Sequence, residues 1–309
     1  MPCFLAKEFM KKRVKVRMKV SYTDRIFNII NFAFMGILGL FLVYPLYYVL
    51  IASITEPSIV MSGRLLLWPE EVFVGGYQRI MNHPPIWTGY YNTILYTVTG
   101  TAVAIFATIP TAYALSRKDM FGRRVWMFIF TFTMFFQGGL IPLFLILMRL
   151  GMLNTIYAII LPTAVSVFNL IVCRTFFEQS IPHELLEAGR IDGCNDFGFF
   201  FRIVMPISST IVAVMILFYS TALWNMFMPP LMFLSDMGRM PLQVILRNLI
   251  IANQVQGMVA DATEIVDRIR IAQQIQYGVI VVSALPLLIV YPFLQKYFAK
   301  GVMIGSVKG

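Results

Sequence analysis

The sequence predicts an all-α integral membrane protein with six transmembrane helices, and three observations predict it. Charged residues make up 13% of the 309 residues and hydrophobic ones 59%, whereas an ordinary globular chain is roughly 25% charged. Asp, Glu, Lys and Arg are absent from six runs, 26–55, 80–116, 125–148, 150–173, 203–235 and 271–295, of which the shortest has 24 residues. A helix needs about 20 apolar residues to cross some 30 Å of hydrocarbon, and lipid leaves only helices and closed barrels able to span. Barrel strands are about ten residues long and alternate in polarity; these runs do neither.

Taken in order, the first span lies near 28–52, after a basic segment 1–27. Between Ile29 and Ile51 it holds fourteen Leu, Ile, Val or Phe residues. At roughly −0.3 to −0.6 kcal/mol each, these favour insertion by about 4 to 8 kcal/mol before Asn31, Pro45 and the glycines subtract from it. The second span, near 90–115, closes on Ala112-Tyr113-Ala114-Leu115-Ser116-Arg117, with Gly122-Arg123 in the loop that follows. The third and fourth lie near 125–147 and 154–174. The fifth, near 204–228, contains Trp224 and Asn225, and the sixth, near 273–296, precedes a tail 299–309.

Positive charge sets the orientation. With both termini cytoplasmic, the inner segments hold 18 of the 25 Lys and Arg residues, while the acidic residues divide eight inside and seven outside. The asymmetry is specific to Lys and Arg, as the positive-inside rule requires. The run Lys11-Lys12-Arg13 through Lys19 is therefore read as a topology signal facing membrane lipid, and nucleic acid is not among the expected partners.

Several classes of chemistry are excluded or weakened. Three scattered cysteines make no disulfide framework, and two histidines a hundred positions apart with no C-x-x-C give no metal-site spacing. No Gly-Lys pair exists for a phosphate-binding loop. The spans carry no ionisable group of the kind that ion-coupled carriers use to hold the driving ion, which weakens a stand-alone secondary transporter. No catalytic residue and no metal ligand is assigned, and any energy for uphill transport has to come from a partner.

The most informative stretch is cytoplasmic, 178–206, EQSIPHELLEAGRIDGCNDFGFFFRIVMP. Pro182 suits a first-turn position, where its missing N–H is no loss. Glu184 in the first turn and Arg190 in the last both match the helix dipole, and Gly193 is a natural stop. The pattern predicts a short helix over about 182–191, a turn, and a second helix from about Asn195 that runs into span five.

This segment resembles the EAA loop of ABC-importer permeases, in which Glu-Ala-Ala is followed after three residues by Gly, after nine more by Ile, and then by one residue and Leu-Pro. Here the residues are Glu187-Ala188-Gly189, Gly193, Ile203 and Met205-Pro206, with Gly189 and Met205 departing from the pattern. Ala112 to Arg117, Gly122-Arg123, Ile191-Asp192-Gly193, Trp224-Asn225 and the tail from Lys300 resemble the second permease of maltose-type carbohydrate importers. The resemblance implies the type I importer permease (MetI-like) fold in a prokaryotic cell membrane. It implies a second related permease, two ATPase subunits that bind ATP and Mg, an extracytoplasmic solute-binding protein, and an oligosaccharide as cargo; an amino acid or peptide shares the same loop. It also implies that the loop is a coupling helix. Glu184, Glu187, Ala188, Gly189, Asp192 and Gly193 would lie at or near the ATPase contact, with Ile203 and Pro206 anchoring the second helix. The tail either reaches between the ATPase subunits or frays.

On the outer side, Leu242, Ile245, Leu246 and Leu249 recur at helical spacing, with Arg247 and Asn248 between them. This amphipathic piece either touches the binding protein or lies on the membrane surface. Trp224 and Asn225 pair an aromatic ring with an amide, a combination suited to sugars and equally to interhelical packing. Asn169 in span four is a further candidate for the substrate path.

Overall fold

The computed structural model describes residues 22–63, 67–256, 271–289 and 292. The basic run before residue 22 and the tail 299–309 lie outside the described residues. Within them the regular structure is helical, apart from one isolated antiparallel bridge between Thr55 and Val72.

The chain divides into two units, 1–50 and 51–309. The first contains most of the helix Tyr22–Ile54, 33 residues with Pro45 inside and about 50 Å long at 1.5 Å per residue. Its large apolar side chains, Phe32, Leu40 and Phe41 among them, are exposed. A helix that is apolar on every face belongs in lipid or against other protein.

The second unit is organised around the helix Pro84–Ser116, also of 33 residues, which packs against Ser209–Trp224, Val167–Ser180 and Leu242–Gln256. Toward its inner end Ala112, Leu115, Leu170, Phe177, Phe199 and Met215 form one core; toward its outer end Ile80, Ile86, Leu242, Ile245 and Ile275 form another. We call Pro84–Ser116 the hub helix.

Three of the expected spans are broken. The stretch expected as one helix over 125–147 is Arg123–Phe135 and Leu140–Arg149, bent by 111°. The break, 136–139, includes Gly138-Gly139, and each glycine disfavours a helix by about 1 kcal/mol relative to Ala. The fourth span is Tyr157–Thr163 and Val167–Ser180, bent by 45°; Pro162 in its first part has no N–H to give. Ser166 opens the second part, its N–H donating to the Tyr219 hydroxyl at 3.0 Å. The segment expected to run smoothly from Asn195 into span five is Asp196–Ile207 and Ser209–Trp224, bent by 80°. A π turn over Phe200–Val204 and Pro206 immediately precede that bend. Insertion of an extra residue per turn and a missing donor both weaken the ladder there.

The sixth helix, Ile271–Ile289, is tied in by its own proline. Pro286 cannot donate to the carbonyl of Val282, and the Tyr90 hydroxyl donates to it instead, at 2.5 Å. The apolar face of the amphipathic piece 242–249 is covered by protein and is not open to a membrane surface. Leu242, Ile245, Leu246 and Leu249 are buried against Ile80, Ile86, Ile275 and Val279, because the helix Leu242–Gln256 folds back onto the hub helix.

Candidate functional site

The segment between spans four and five is built from local rules. Pro182 is the N-cap and the helix runs His183–Ile191, with Asp192 as C-cap, so Pro182 stands one position outside its expected place. The Cys194 N–H donates to the Gly189 carbonyl at 2.9 Å and the Gly193 N–H to that of Arg190 at 3.1 Å. These are the two bonds of a Schellman ending, and Gly193 occupies the required left-handed conformation at φ +76°. Asn195 then caps the next helix, its Oδ1 accepting from the Gly198 N–H at 2.7 Å.

Gly189 has a role that helix propensity alone does not reveal. It is buried, and a Cβ there would stand 2.7 Å from Cδ2 of Phe199 and 3.9 Å from Cδ1 of Ile203. The two helices of the hairpin therefore close on each other at Gly189. Glu184, Glu187 and Ala188 lie on the opposite, exposed face, with Glu187 63% exposed at 3.6 Å from His183 Nε2. Asp192, Gly193 and Pro206 are exposed too, and Ile191 and Phe197 are 87% and 77% exposed. A helix with apolar and acidic side chains standing free on one face, outside the apolar spans, is shaped for contact with another protein.

Sequence reasoning missed the charges behind this helix. Arg117, at the end of the hub helix, points Nε and Nη2 at the two carboxylate oxygens of Asp119, at 2.9 and 2.6 Å, and Nη1 at Asp196, at 2.7 Å. The same Asp119 accepts from Arg190 at 3.0 Å. The fork of Arg117 beside Asp119 holds that carboxyl well below the ordinary carboxylate range, against a smaller desolvation effect. A second group, Arg123, Arg174 and Glu178, caps the hub helix: Arg174 Nε donates to the Leu115 carbonyl at 3.1 Å and Arg123 Nη1 to that of Ser116 at 3.3 Å. Cations at a helix C-terminus match its dipole. The only sequence signal was position, since these charges sit just beyond the ends of the uncharged runs.

The substrate-path candidates are placed apart from this surface. Trp224 ends the helix Ser209–Trp224, is 6% exposed, donates its indole N–H to the Ser283 carbonyl at 3.1 Å, and packs at 6.5 Å from the Tyr90 ring. Asn225 is exposed, its Nδ2 donating to the Thr221 carbonyl at 2.9 Å. Asn169 is buried in the first turn after the break in span four. Among the described residues no cluster of three His, Cys, Asp or Glu forms that would hold a metal.

Among the described residues, and counting each bent pair as one, six helices are long and apolar enough to cross a membrane. Together with an exposed polar hairpin between two of them, they define a multi-span membrane protein with a contact surface outside the apolar spans. The family model described as binding-protein-dependent transport system inner membrane component matches residues 85–304, and the chain belongs to that family. It is 41% identical over 287 residues to the polygalacturonan/rhamnogalacturonan transport system permease protein YtcP of Bacillus subtilis, covering 93% of this chain and 99% of that one. It is 26% identical over 287 residues to the arabinooligosaccharides transport system permease protein AraQ of Halalkalibacterium halodurans, over 91% and 95% of the two chains. Among solved structures, a chain of a bacterial ABC transporter involved in import of the acidic polysaccharide alginate matches with TM-score 0.77 and 34% identity, over 90% of this chain and 98% of that one. The protein is thus an ABC transporter permease of the inner membrane.

Proposed function

We propose that this permease carries an oligosaccharide inward, paired with a second related permease, two ATPase subunits that bind ATP and Mg, and an extracytoplasmic solute-binding protein. The observation that carries the reading is the helix His183–Ile191, held outside the apolar spans with Glu184, Glu187 and Ala188 exposed on one face. We refer to it as the docking helix. In this reading the ATPase subunit grips that face, and its closure on ATP turns the bundle outward. Hydrolysis is assigned to the partners, and the chain supplies the path and the docking surface. The relatives named for polygalacturonan, arabinooligosaccharides and alginate support a sugar polymer fragment as cargo, and two of the three names are acidic polymers. Of the residues assigned to the sugar path, Asn225 is exposed, while Trp224 and Asn169 are buried in this structure and would meet sugar only when the bundle opens.

Reconstitution in vesicles with the partner permease, ATPase and binding protein tests it. Uptake of galacturonate oligomers should require ATP and the binding protein and exceed uptake of amino acids or peptides. Replacement Glu187→Arg should abolish retention of the ATPase subunit during purification. ATP-independent uptake, or full retention by the Glu187 variant, would overturn the reading.

A further inference from the structure

The docking helix meets the rest of the chain unevenly. Its N-terminal half borders a cleft of about 500 Å³, lined by Tyr113, Arg123, Phe177, Glu178, His183 and Glu184 among others. Its C-terminal half is fixed twice, by the contact of Gly189 with Phe199 and by the ion pair of Arg190 with Asp119. Among the described residues, that pair is the salt bridge that joins the docking helix to another part of the chain.

Asp119 belongs to the connector that follows the hub helix, and it is shared. Its Oδ2 accepts from Arg190 Nη2 at 3.0 Å and from Arg117 Nη2 at 2.6 Å. Arg117 has a side chain only 16% exposed and also holds Asp196 at 2.7 Å, in the first turn of the helix after the docking helix. One guanidinium and one carboxylate therefore connect the hub helix, its connector and both arms of the docking hairpin. The hub helix in turn packs on the spanning helices Ser209–Trp224 and Val167–Ser180, so a displacement entering at Arg190 reaches the hub through polar contacts and passes from there into the bundle through packed side chains.

We propose that Asp119 is a positioning residue for energy coupling: it clamps the docking helix to the end of the hub helix, so that movement imposed on the former is passed to the latter through Arg190, Asp119 and Arg117. This rests on the reading of His183–Ile191 as the surface the ATPase grips. The geometry fits a transmitting link. A forked guanidinium–carboxylate pair has a fixed relative orientation, and a connector tied at both ends moves with whatever pulls it. With the clamp released, Leu186 and Gly189 still seat the docking helix in the core, but its polar tie to the end of the hub helix is gone.

The test uses the complete reconstituted transporter with Asp119→Asn, Arg190→Gln, Arg190→Lys and the double variant Asp119→Asn/Arg190→Gln. ATPase subunits should still copurify in full and ATP should still be hydrolysed. Sugar delivered per ATP should fall at least tenfold in Asp119→Asn and in Arg190→Gln, the double variant should be no worse than either single one, and Arg190→Lys should recover most of the loss. An unchanged sugar-to-ATP ratio in Asp119→Asn overturns the proposal, as does simple multiplication of the two losses in the double variant. Glu187→Arg separates the two readings. If Glu187→Arg loses the ATPase subunit while Asp119→Asn transports normally, the clamp fails and the docking reading stands; if Glu187→Arg retains both the subunit and transport, the docking reading itself fails.

Discussion

The two ends of the hub helix are fastened by different chemistry. Near the outer end, buried neutral groups make the joints. Asn92 Nδ2 donates to the carbonyls of Gly238 and Met240 at 2.8 and 3.1 Å, Thr93 Oγ1 accepts from the Leu242 N–H at 2.8 Å, and the Tyr96 hydroxyl donates to the Arg239 carbonyl at 2.7 Å. Near the inner end, Arg117, Asp119, Arg190 and Asp196 make the joints, and all but Arg117 have side chains more than a third exposed. Leaving a buried carbonyl without a donor costs about 1–3 kcal/mol, whereas an exposed ion pair is worth about 0–1 kcal/mol. The outer fastening is therefore expensive to open and holds the folded-back segment 237–249 in place. The inner one fixes direction at little cost in stability, which suits a joint that has to be carried through two states.

The sharpest way to break this contrast is at the outer end. Replacement Asn92→Leu keeps the branched heavy-atom shape and removes both N–H donors, so it should destabilise the purified protein by about 2–3 kcal/mol, read as a lowered midpoint of thermal unfolding. If it proves neutral, the outer joints are no firmer than the inner ones. At the inner end, Gly193→Ala forces a Cβ into a left-handed conformation and should cost about 1–2 kcal/mol, with Gly193→Asn costing less because Asn tolerates that region. Equal loss in the two variants would mean that the side chain, not the backbone, matters in the turn. The smallest change in stability is expected for Asp119→Asn, at most about 1 kcal/mol, in the same protein whose coupling ratio should collapse.

These differences mark what the chain discloses in one dimension. The six spans were legible because lipid excludes charge, and exclusion leaves long gaps that need no partner to be seen. The docking hairpin was legible because its stops are local, with Pro182, Gly193 and Asn195 each acting within a few residues. The breaks at 136–139 and at Ser208 were not, although Gly138-Gly139 and Pro206 stand at them, since glycine and proline are frequent inside transmembrane helices that continue unbroken. Nor was the face that Leu242, Ile245, Leu246 and Leu249 cover: periodicity shows that one side is apolar without saying what it meets. Gly189 showed in the sequence only as a departure from the Glu-Ala-Ala pattern, because Phe199, the ring that demands it, lies on the other arm of the hairpin. Asp119 and Arg190 are 71 positions apart, and no pattern in the sequence pairs them.

The dependence on pH sharpens the same comparison at its weakest point. Arg117 and then Arg190 hold the Asp119 carboxyl below its ordinary range, which is about 3.9 for an unperturbed Asp. A carboxyl depressed on folding contributes stability that is fully present above the unfolded value and is lost as pH falls through the folded one. Between pH 8 and pH 5 both states are ionised at this position, so the difference in unfolding midpoint between wild type and Asp119→Asn should stay constant. It should shrink only once the pH drops below about 4. The neutral joints at Asn92, Thr93 and Tyr96 carry no group that titrates in that window, so the effect of Asn92→Leu should not move with pH at all. A difference for Asp119→Asn that had already vanished at pH 5 would mean that Arg117 does not hold the Asp119 carboxyl low in the folded protein, and the inner end would then be joined through Arg123, Arg174 and Glu178.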